Sequence, residues 1–334
     1  MEKDLSRSES PLEVRSIAEV TDEEIKYIDD RRHGRIKSLA TPWKKYNNVC
    51  MGGIEWHTIH TFGGMSGSGK TAILNQLETE ICTLNPDEKF DILSFNFEML
   101  ARNLVGRKIS KEVSLTMQDI HSGKEGVTLS DADYAKVIAS REKFKTLPIY
   151  YVDTAGTVNE ILRTIVEFSR RSSDRGILMT LDHTLLVNGA ANEVERVILV
   201  NLVKELKRCI KHFKSIGRNL SCVILTQLNR NIEESDRMAE PGSQNFPKKK
   251  DIFGGDALFQ MSDVVLVTMN PFQNQMEVYG PHKWPTQGFL YWHFLKVREG
   301  ESVIAKMTNK LAINTVEDYE DTQQVLNLNH KITK

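Results

Sequence analysis

Gly64-Met65-Ser66-Gly67-Ser68-Gly69-Lys70-Thr71 is the stretch that decides the fold class of this 334-residue chain. It matches the pattern GxxxxGK[ST], in which glycines let backbone N–H groups surround a phosphate at the N-terminus of the next helix. Lys70 can then reach the β- and γ-phosphates of a nucleotide, and the Thr71 hydroxyl can hold Mg²⁺. The stretch therefore predicts a site for ATP and Mg²⁺, provided that a strand precedes it and a helix follows it.

Both requirements are met, because strand and helix patterns alternate from about residue 54. A predicted strand, Ile54–Phe62, leads into the loop, and the helix after it has Ile73, Leu74, Leu77, Ile81 and Leu84 on one face. Further short strands are predicted at Phe90–Phe95, Ile149–Val152, Ile177–Leu181, Ser221–Leu225 and Val264–Val267. Their near-continuous apolar character is typical of a parallel sheet covered on both faces.

The remaining elements complete a single α/β domain, predicted at residues 36–315. Thr157 and Glu160 form a capping box at the start of a helix that buries Ile161, Leu162, Ile165 and Val166. Phe289–Lys296 and Ser302–Met307 predict a C-terminal β-hairpin. We expect a mostly parallel central sheet with helices on both faces.

The two ends of the chain are expected to lie outside this domain. Residues 1–20 are polar and serine-rich, which predicts a disordered arm, and residues 316–334 predict a flexible tail. Between the arm and the domain, Thr21 and Glu24 indicate a capped helix that ends near His33. Its few apolar residues are too little to fold alone, so this helix should dock on another surface.

Composition excludes several classes of protein. The chain is 40% hydrophobic and 27% charged, with a net charge of −1, so any binding of nucleic acid must come from a local patch. No apolar run is long enough to span a membrane and the N-terminus resembles no secretory signal, which favours a cytoplasmic protein. The four scattered cysteines predict neither a zinc site nor disulfides, and Cys82, Cys209 and Cys222 fit core positions.

Four polar residues that follow predicted strands are candidates for chemistry. Asp182 ends a central strand, where a carboxylate can orient magnesium, and Asp153 competes for that role. Glu98 follows another strand and can polarise an attacking water. Gln227 follows a third strand, where its amide can contact the γ-phosphate and report its loss.

These stretches together resemble the C-terminal, RecA-like motor domain of the DnaB-type replicative DNA helicases. The matching segments are GGMSGSGKT, SFNFEML, ILMTLDHTLLV, LTQLNR and KVREG, in order over about residues 36–312. The resemblance implies Lys70 and Thr71 on Mg-ATP, Glu98 as catalytic carboxylate, Asp182 on magnesium and Gln227 as γ-phosphate sensor. It also implies a hexameric ring on single-stranded DNA that moves from 5′ to 3′.

The same resemblance assigns Lys296 and Arg298 to the nucleotide of a neighbouring subunit. Two cations spaced i, i+2 on a strand point to one face, and a cation at the γ-phosphate stabilises the transition state. It also implies that the helix at residues 21–35 docks on the adjacent subunit. A standalone motor of this kind fits a compact replication system, such as a viral one working in a host cytoplasm.

The chain departs from the family pattern at two places. Only about 35 residues precede the motor here, so a primase or a loader, though a possible partner, is not expected to dock through the family's N-terminal helical domain. The family's DNA-binding arginine is also missing, because its loop corresponds here to Phe253-Gly254-Gly255-Asp256. We predict instead that Lys248-Lys249-Lys250, in the irregular stretch Glu233–Asp251, contacts DNA with Gly254, and that Phe253 stacks on a base or plugs the loop.

Two other functions share the same nucleotide chemistry. A RecA-like strand-exchange ATPase would form open filaments, and a KaiC-like ATPase would switch protein partners without touching DNA. A small-molecule kinase is disfavoured, because no compact lid with arginines follows the sensor strand.

Overall fold

The helices and strands come from a computed structural model that describes residues 14–123, 125–172, 174–182, 184–189, 193–229, 232, 245–320 and 326–327. Two units are distinguished, Met1–Ser38 and Leu39–Lys334. The helices are α1 (Ile17–Arg32), α2 (Lys44–Val49), α3 (Lys70–Leu84), α4 (Ala101–Val113), α5 (Met117–Ile120), α6 (Asp131–Lys145), α7 (Val158–Ser169), α8 (Glu195–Ser215) and α9 (Gly255–Met261). None of them is long and apolar enough to cross a membrane, as judged over the described ranges.

The first unit contains the helix predicted from its capping box, but the helix begins earlier. Glu19 N–H donates to Ser16 Oγ over 3.2 Å and Ser16 N–H donates to Glu19 Oε2 over 2.7 Å, so the box lies five residues before the predicted one. Thr21 lies inside the helix, where its hydroxyl donates to Ile17 O. Residues 17–20 are therefore helical, which corrects that part of the predicted arm; residues 1–13 lie outside the described residues.

One large sheet dominates the second unit, as predicted. Its strands are β1 (Ile59–Gly64), β2 (Phe90–Asn96), β3 (Ile149–Val152), β4 (Gly176–Asp182), β5 (Leu220–Gln227), β6 (Val264–Met269), β9 (Phe289–Val297), β10 (Val303–Lys310), β11 (Thr315–Asp318) and β12 (Leu326–Asn327); β7 (Val278–Tyr279) and β8 (Trp284–Pro285) form a separate pair. The order is β11-β10-β9-β6-β1-β5-β4-β2-β3, with β12 against β10.

The direction of the strands confirms a mostly parallel sheet with a C-terminal hairpin. The six strands from β6 to β3 pair in parallel, whereas β9 joins β6 antiparallel and β10 returns antiparallel beside it. Because parallel strands end at a common edge, the residues after β1, β2, β4 and β5 lie along one side of the sheet.

The strand before the glycine-rich loop is shorter than predicted. Ile54 forms only an isolated bridge with Leu39, and β1 begins at Ile59. The interruption has a local cause, since His57 has a left-handed backbone with φ of 69° in a turn between the two segments. Extended pairing cannot pass through that conformation.

Helices cover both faces of the sheet, and alternate strand residues divide between two apolar clusters. Ile177 and Met179 of β4 pack with α7 and α8, whereas Leu178 packs on the opposite side with α2 and α3. The predicted box at α7 is confirmed by Glu160 N–H donating to Thr157 Oγ1 over 3.3 Å. Leu84, at the last position of α3, is 45% exposed and does not belong to the predicted apolar face.

The predicted start of the tail at residue 316 is wrong. Val316 is fully buried in β11, where its N–H donates to Gln76 Oε1 over 2.9 Å and its carbonyl accepts from Trp43 Nε1 over 2.9 Å. These bonds join the segment after the hairpin to α3 and to the residue before α2. Of the remaining predicted tail, residues 321–325 and 328–334 lie outside the described residues.

The cysteines largely match the prediction of core positions. Cys209 and Cys222 are buried, and Cys82 is partly buried. Burial raises the pKa of the Cys209 thiol to about 12, which keeps it in the unreactive protonated form at neutral pH.

Candidate nucleotide site and its surroundings

The glycine-rich loop joins β1 to α3, as the motif requires. Gly69 precedes the helix with φ of 91°, a left-handed conformation that L side chains rarely adopt. A Cβ on Gly64 would lie 2.2 Å from Ser68 Oγ and 2.9 Å from the Thr268 carbonyl oxygen of the neighbouring strand. Glycine at these two positions therefore allows the backbone to turn tightly between the strand and the helix N-terminus.

Lys70 points its ammonium group into the loop. Its Nζ donates to the carbonyl oxygens of Gly64, at 2.7 Å, and Met65, at 2.8 Å. Burial lowers the pKa of Lys70 to about 8, although the carboxylates of Asp182 and Glu98 act in the opposite direction. A phosphate bound in the loop would supply the negative charge that this buried cation lacks.

Thr71 and Asp182 provide hard oxygen ligands at one point. The Thr71 hydroxyl donates to Asp182 Oδ2 over 3.0 Å, and Asp182, at the end of β4, is only 4% exposed. Mg²⁺ is commonly held by one or two such oxygens together with phosphates and water, so this pair fits the predicted ion. Asp153, the competing carboxylate, instead accepts from Ala101 N–H over 3.1 Å at the start of α4 and does not line the cavity.

A cavity of about 590 Å³ brings the predicted nucleotide residues together. Lys70, Thr71, Glu98, Asp182 and Gln227 all line it, from the ends of β1, β2, β4 and β5 and the beginning of α3. Glu98 is exposed in the turn after β2, where it can approach a water at the γ-phosphate. Volume and polar lining suit a ligand of nucleotide size.

Part of the cavity wall was not foreseen from the sequence. Arg107 of α4 and residues 116–118 form one side, and Leu311, Ala312 and Asn314 form another. Arg107 could have been proposed from the sequence, because it is a cation three positions after Leu104 in the helix that follows Glu98, and Leu104 is buried. The 3-10 turn Leu311–Ile313 matches no motif, and only the three-dimensional fold brings it to the loop.

A buried ion pair connects the helices on either side of this cavity. Lys108 Nζ of α4 lies 2.7 Å from Glu78 Oε2 of α3, and both side chains are 2% exposed. Ser94 and Thr180, on β2 and β4, donate their hydroxyls to Glu78 Oε1 over 2.6 Å. Glu78 thus has a partner at each oxygen, as a buried carboxylate requires.

Lys296 and Arg298 lie at the opposite end of the strands from the chain's own nucleotide cavity. Lys296 pairs with Val265 at the beginning of β6, and Arg298 Nε lies 2.9 Å from Asp263 Oδ1, just before β6. Ile59, the first residue of β1, neighbours Asp263, whereas the phosphate loop follows Gly64 at the other end. The five residue steps from Ile59 to Gly64, at about 3.3 Å each, separate the two sites by about 17 Å.

Lys296 is held by the C-terminal end of α9. Its Nζ donates to the carbonyl oxygens of Phe259, at 2.7 Å, and Gln260, at 3.0 Å. Burial and the nearby Arg298 lower the pKa of Lys296. In this conformation Lys296 therefore donates hydrogen bonds within its own chain. The Arg298 side chain, by contrast, is 51% exposed.

The predicted DNA-binding segment is attached to the end of the sensor strand. Phe253 N–H donates to the Gln227 carbonyl over 3.0 Å, and Leu228 forms a bridge with Ile252. Lys248, Lys249 and Lys250 are exposed, and Lys249 Nζ lies 2.8 Å from Asp256 Oδ1. Residues 233–244 of the predicted loop lie outside the described residues.

Phe253 and Gly254 line a second, basic cavity of about 350 Å³. It is shared with Arg196 of α8, Asn229, Lys249 and Lys250. Phe253 is partly buried against the apolar core, which agrees with its interpretation as a plug, while its remaining surface faces the cavity. Arg196 was not predicted, and lies about fifty residues before the lysines in the sequence.

Comparison with known proteins agrees with this fold. The family described as the DnaB-like helicase C terminal domain matches residues 27–314. The replicative DNA helicase DnaB of Geobacillus stearothermophilus is 22% identical over 236 residues, 70% of this chain and 47% of that protein. DnaB of Helicobacter pylori is 22% identical over 268 residues, 78% of this chain and 50% of that protein. The chain thus spans about half the length of these curated relatives.

Solved structures show the same fold at low sequence identity. One of them, described as an ATPase domain, superposes with a TM-score of 0.74 and 15% identity, covering 92% of this chain and 100% of that one. A DnaB-like replicative helicase, described with its interactions with primase, has a TM-score of 0.74 and 16% identity, covering 92% and 69%. The expected RecA-like ATPase fold is confirmed, and because the family match spans most of the chain, the chain belongs to the DnaB-like helicase C-terminal domain family.

Proposed function

We propose that this chain is the ATP-hydrolysing motor of a ring-shaped, hexameric helicase that moves along single-stranded DNA from 5′ to 3′ and separates the duplex. The observation that carries the proposal is that these charged groups lie at opposite ends of the strands of the central sheet. The nucleotide cavity contains Glu98 and Asp182, whereas Lys296 and Arg298 lie about 17 Å away along the strands. Such cations can serve a nucleotide only when a second copy of the chain brings them there.

Within one subunit, each residue of the cavity has a distinct part in hydrolysis. Lys70 binds the β- and γ-phosphates, and Thr71 and Asp182 hold Mg²⁺, which neutralises phosphate charge when it is bound. Glu98 orients and polarises the attacking water. Arg298 of a neighbouring copy, with Lys296 beside it, stabilises the charge that develops on the transferred phosphoryl group.

Gln227 connects this chemistry with the DNA segment. Gln227 lines the nucleotide cavity, and its backbone carbonyl accepts the N–H of Phe253 over 3.0 Å. A change in the position of Gln227 after loss of the γ-phosphate would therefore be passed directly to the segment that bears Lys249 and Lys250. This bond supports a motor in which hydrolysis moves the DNA-binding surface.

Single-stranded DNA is the nucleic acid that fits the basic cavity. Lys249 and Lys250 line this cavity with Arg196, and Lys248 next to them is exposed, so a strand can be held through successive phosphates. Arg196 would supply the guanidinium that the family has in its own DNA loop. The exposed part of Phe253 offers one surface for base stacking.

The N-terminal helix supports assembly with further copies. None of its residues is buried, and Ile17, Ile25 and Ile28 are between 56% and 82% exposed. We propose that α1 docks on the adjacent subunit, and that deletion of residues 1–34 converts the ring to monomers. An unchanged mass by light scattering would refute this. Since one similar helicase is described with its interactions with primase, a primase is the first further partner to test.

The proposed function is tested by ATP hydrolysis with and without single-stranded DNA. We expect the wild type to be stimulated by an oligonucleotide of single-stranded DNA, and the Lys70→Ala variant to be inactive in both conditions. Hydrolysis that ignores single-stranded DNA at every salt concentration would contradict a DNA motor and favour an ATPase that switches protein partners.

A further inference from the structure

Asp263 is the residue on which the Arg298 side chain rests. It lies between α9 and β6 and its side chain is 10% exposed. The Arg298 N–H donates to the Asp263 carbonyl over 2.9 Å, while Arg298 Nε lies 2.9 Å from Asp263 Oδ1. The arginine is thus attached to one residue through both its backbone and its side chain.

Asp263 is itself fixed to the edge of the sheet. Its N–H donates to the Ile59 carbonyl over 2.7 Å, and its Oδ2 accepts from Ile59 N–H and from Lys207 Nζ of α8, each over 2.8 Å. A carboxylate held by the first residue of β1 and by α8 has little freedom to turn. The rigidity of the central sheet is thereby extended to the arginine.

The ion pair leaves the useful end of Arg298 available. The ion pair is made through Nε, so the two terminal Nη groups, which carry the other N–H donors of the guanidinium, remain available. These groups have no ion-pair partner in the described part of the chain, and 51% of the side chain is exposed. The paired N–H donors of a planar guanidinium match the oxygens of a phosphate.

We propose that Asp263 is a positioning residue for ATP hydrolysis in trans: it orients Arg298 toward the γ-phosphate bound by the neighbouring subunit. This inference rests on the proposed role of Arg298. Asp263 also separates positive charges, since without it Lys207, Lys296 and Arg298 would face one another with no carboxylate between them. The guanidinium would then turn toward solvent and away from the interface.

Asp263→Asn is the informative variant, because an amide oxygen can still accept the Ile59 N–H while the charge is lost. We expect KM for ATP to stay within about twofold and kcat of the assembled protein to fall about 10²-fold, the effect of a displaced catalytic group. Lys207→Met is the matched control: it removes another ion pair from the same carboxylate but keeps the contact with Arg298. Because Ile59 N–H still holds Asp263 Oδ2, kcat of this variant should fall by much less than that of Asp263→Asn, and an equal fall would overturn the role of the Arg298 contact.

Mixing of inactive subunits separates a role in trans from a structural one. Asp263→Asn subunits keep an intact cavity, and Lys70→Ala subunits keep an oriented Arg298, so their mixture restores active interfaces. For independent interfaces in a ring mixed one to one, about a quarter would be active. The mixture of Arg298→Ala with Lys70→Ala serves as the reference, and we expect equal recovery in both mixtures.

Each of the following outcomes would contradict a specific claim. Recovery with Arg298→Ala but not with Asp263→Asn, or a normal kcat for Asp263→Asn alone, would overturn the role of Asp263 and leave the proposed function intact. Recovery in neither mixture would overturn the role of Arg298 in trans, and the inference about Asp263 with it.

Discussion

Binding of ATP should weaken as the pH rises through about 8, because Lys70 must be protonated to bind phosphate. Burial lowers the pKa of this lysine to about 8 in the nucleotide-free protein, from an ordinary value of 10.5. Bound phosphates restore the pKa toward its ordinary value, since they favour the charged form. Full restoration of the pKa would correspond to about 3 kcal/mol of coupling between protonation and binding.

The size of the effect follows from these two values. Below pH 8 the free lysine already carries its proton, so Kd for ATP should be nearly constant. Above pH 8 each binding event must add a proton, and Kd should rise about tenfold per pH unit, or about 30-fold between pH 7 and pH 9.5. The terminal phosphate of the nucleotide does not interfere, because phosphate groups titrate near pH 6.

Isothermal titration calorimetry with Mg-ATP in buffers of different ionisation enthalpy measures both quantities. At pH 8.5 we expect uptake of about three quarters of a proton per nucleotide. Lys70→Arg is the matched control, since its guanidinium stays charged and should bind, if more weakly, with no pH slope over this range. A constant Kd from pH 7 to pH 9.5 without proton uptake would refute the coupling between Lys70 protonation and phosphate binding.

Three further changes have defined outcomes. Glu98→Gln should leave the affinity for ATP within about twofold and lower kcat by about 10²–10³, and near-normal turnover in a steady-state assay would mean that the water is activated by another group. Lys108→Met leaves the Glu78 carboxylate buried without its cation and should lower the free energy of unfolding by about 3–5 kcal/mol. In denaturant titrations, adding Glu78→Leu to this variant should recover most of the lost free energy. A loss below about 1 kcal/mol in the single variant would contradict the importance of the ion pair. Alanine at residues 248–250 should reduce the slope of log affinity for single-stranded DNA against log salt concentration by about 2. Alanine at the exposed α6 lysines 136, 143 and 145 is the control and should leave this slope unchanged. Equal slopes for the two triple variants would remove residues 248–250 from the DNA site.

The sequence predicted the elements that have a strong local signal. The glycine-rich loop, the parallel strands and the capping box at Thr157 depend on residues that are close in the chain, and the structure contains all three. The proximity of Asp182 and Gln227 was also predictable, because each follows a parallel strand and parallel strands place their carboxyl ends on the same side of a sheet.

The features that were missed depend on contacts between distant residues. Val316 is buried because Gln76 and Trp43 bond its backbone, and neither partner can be identified from the residues near Val316. Arg196 lies near Lys249 and Lys250 because α8 packs against α9, a contact between residues far apart in the sequence. The helix N-terminus was misplaced for another reason, since two overlapping capping patterns were available and the earlier one, at Ser16, forms.

The proposed motor is tested most directly by unwinding of forked DNA, with Lys70→Ala as the blank and forks that bear either a 5′ or a 3′ single-stranded tail on the loading strand. We expect strand release that requires ATP and the 5′ tail and that is absent from the Lys70→Ala reaction. No release from either fork, by a protein that hydrolyses ATP, would contradict the assignment of this chain as a helicase motor.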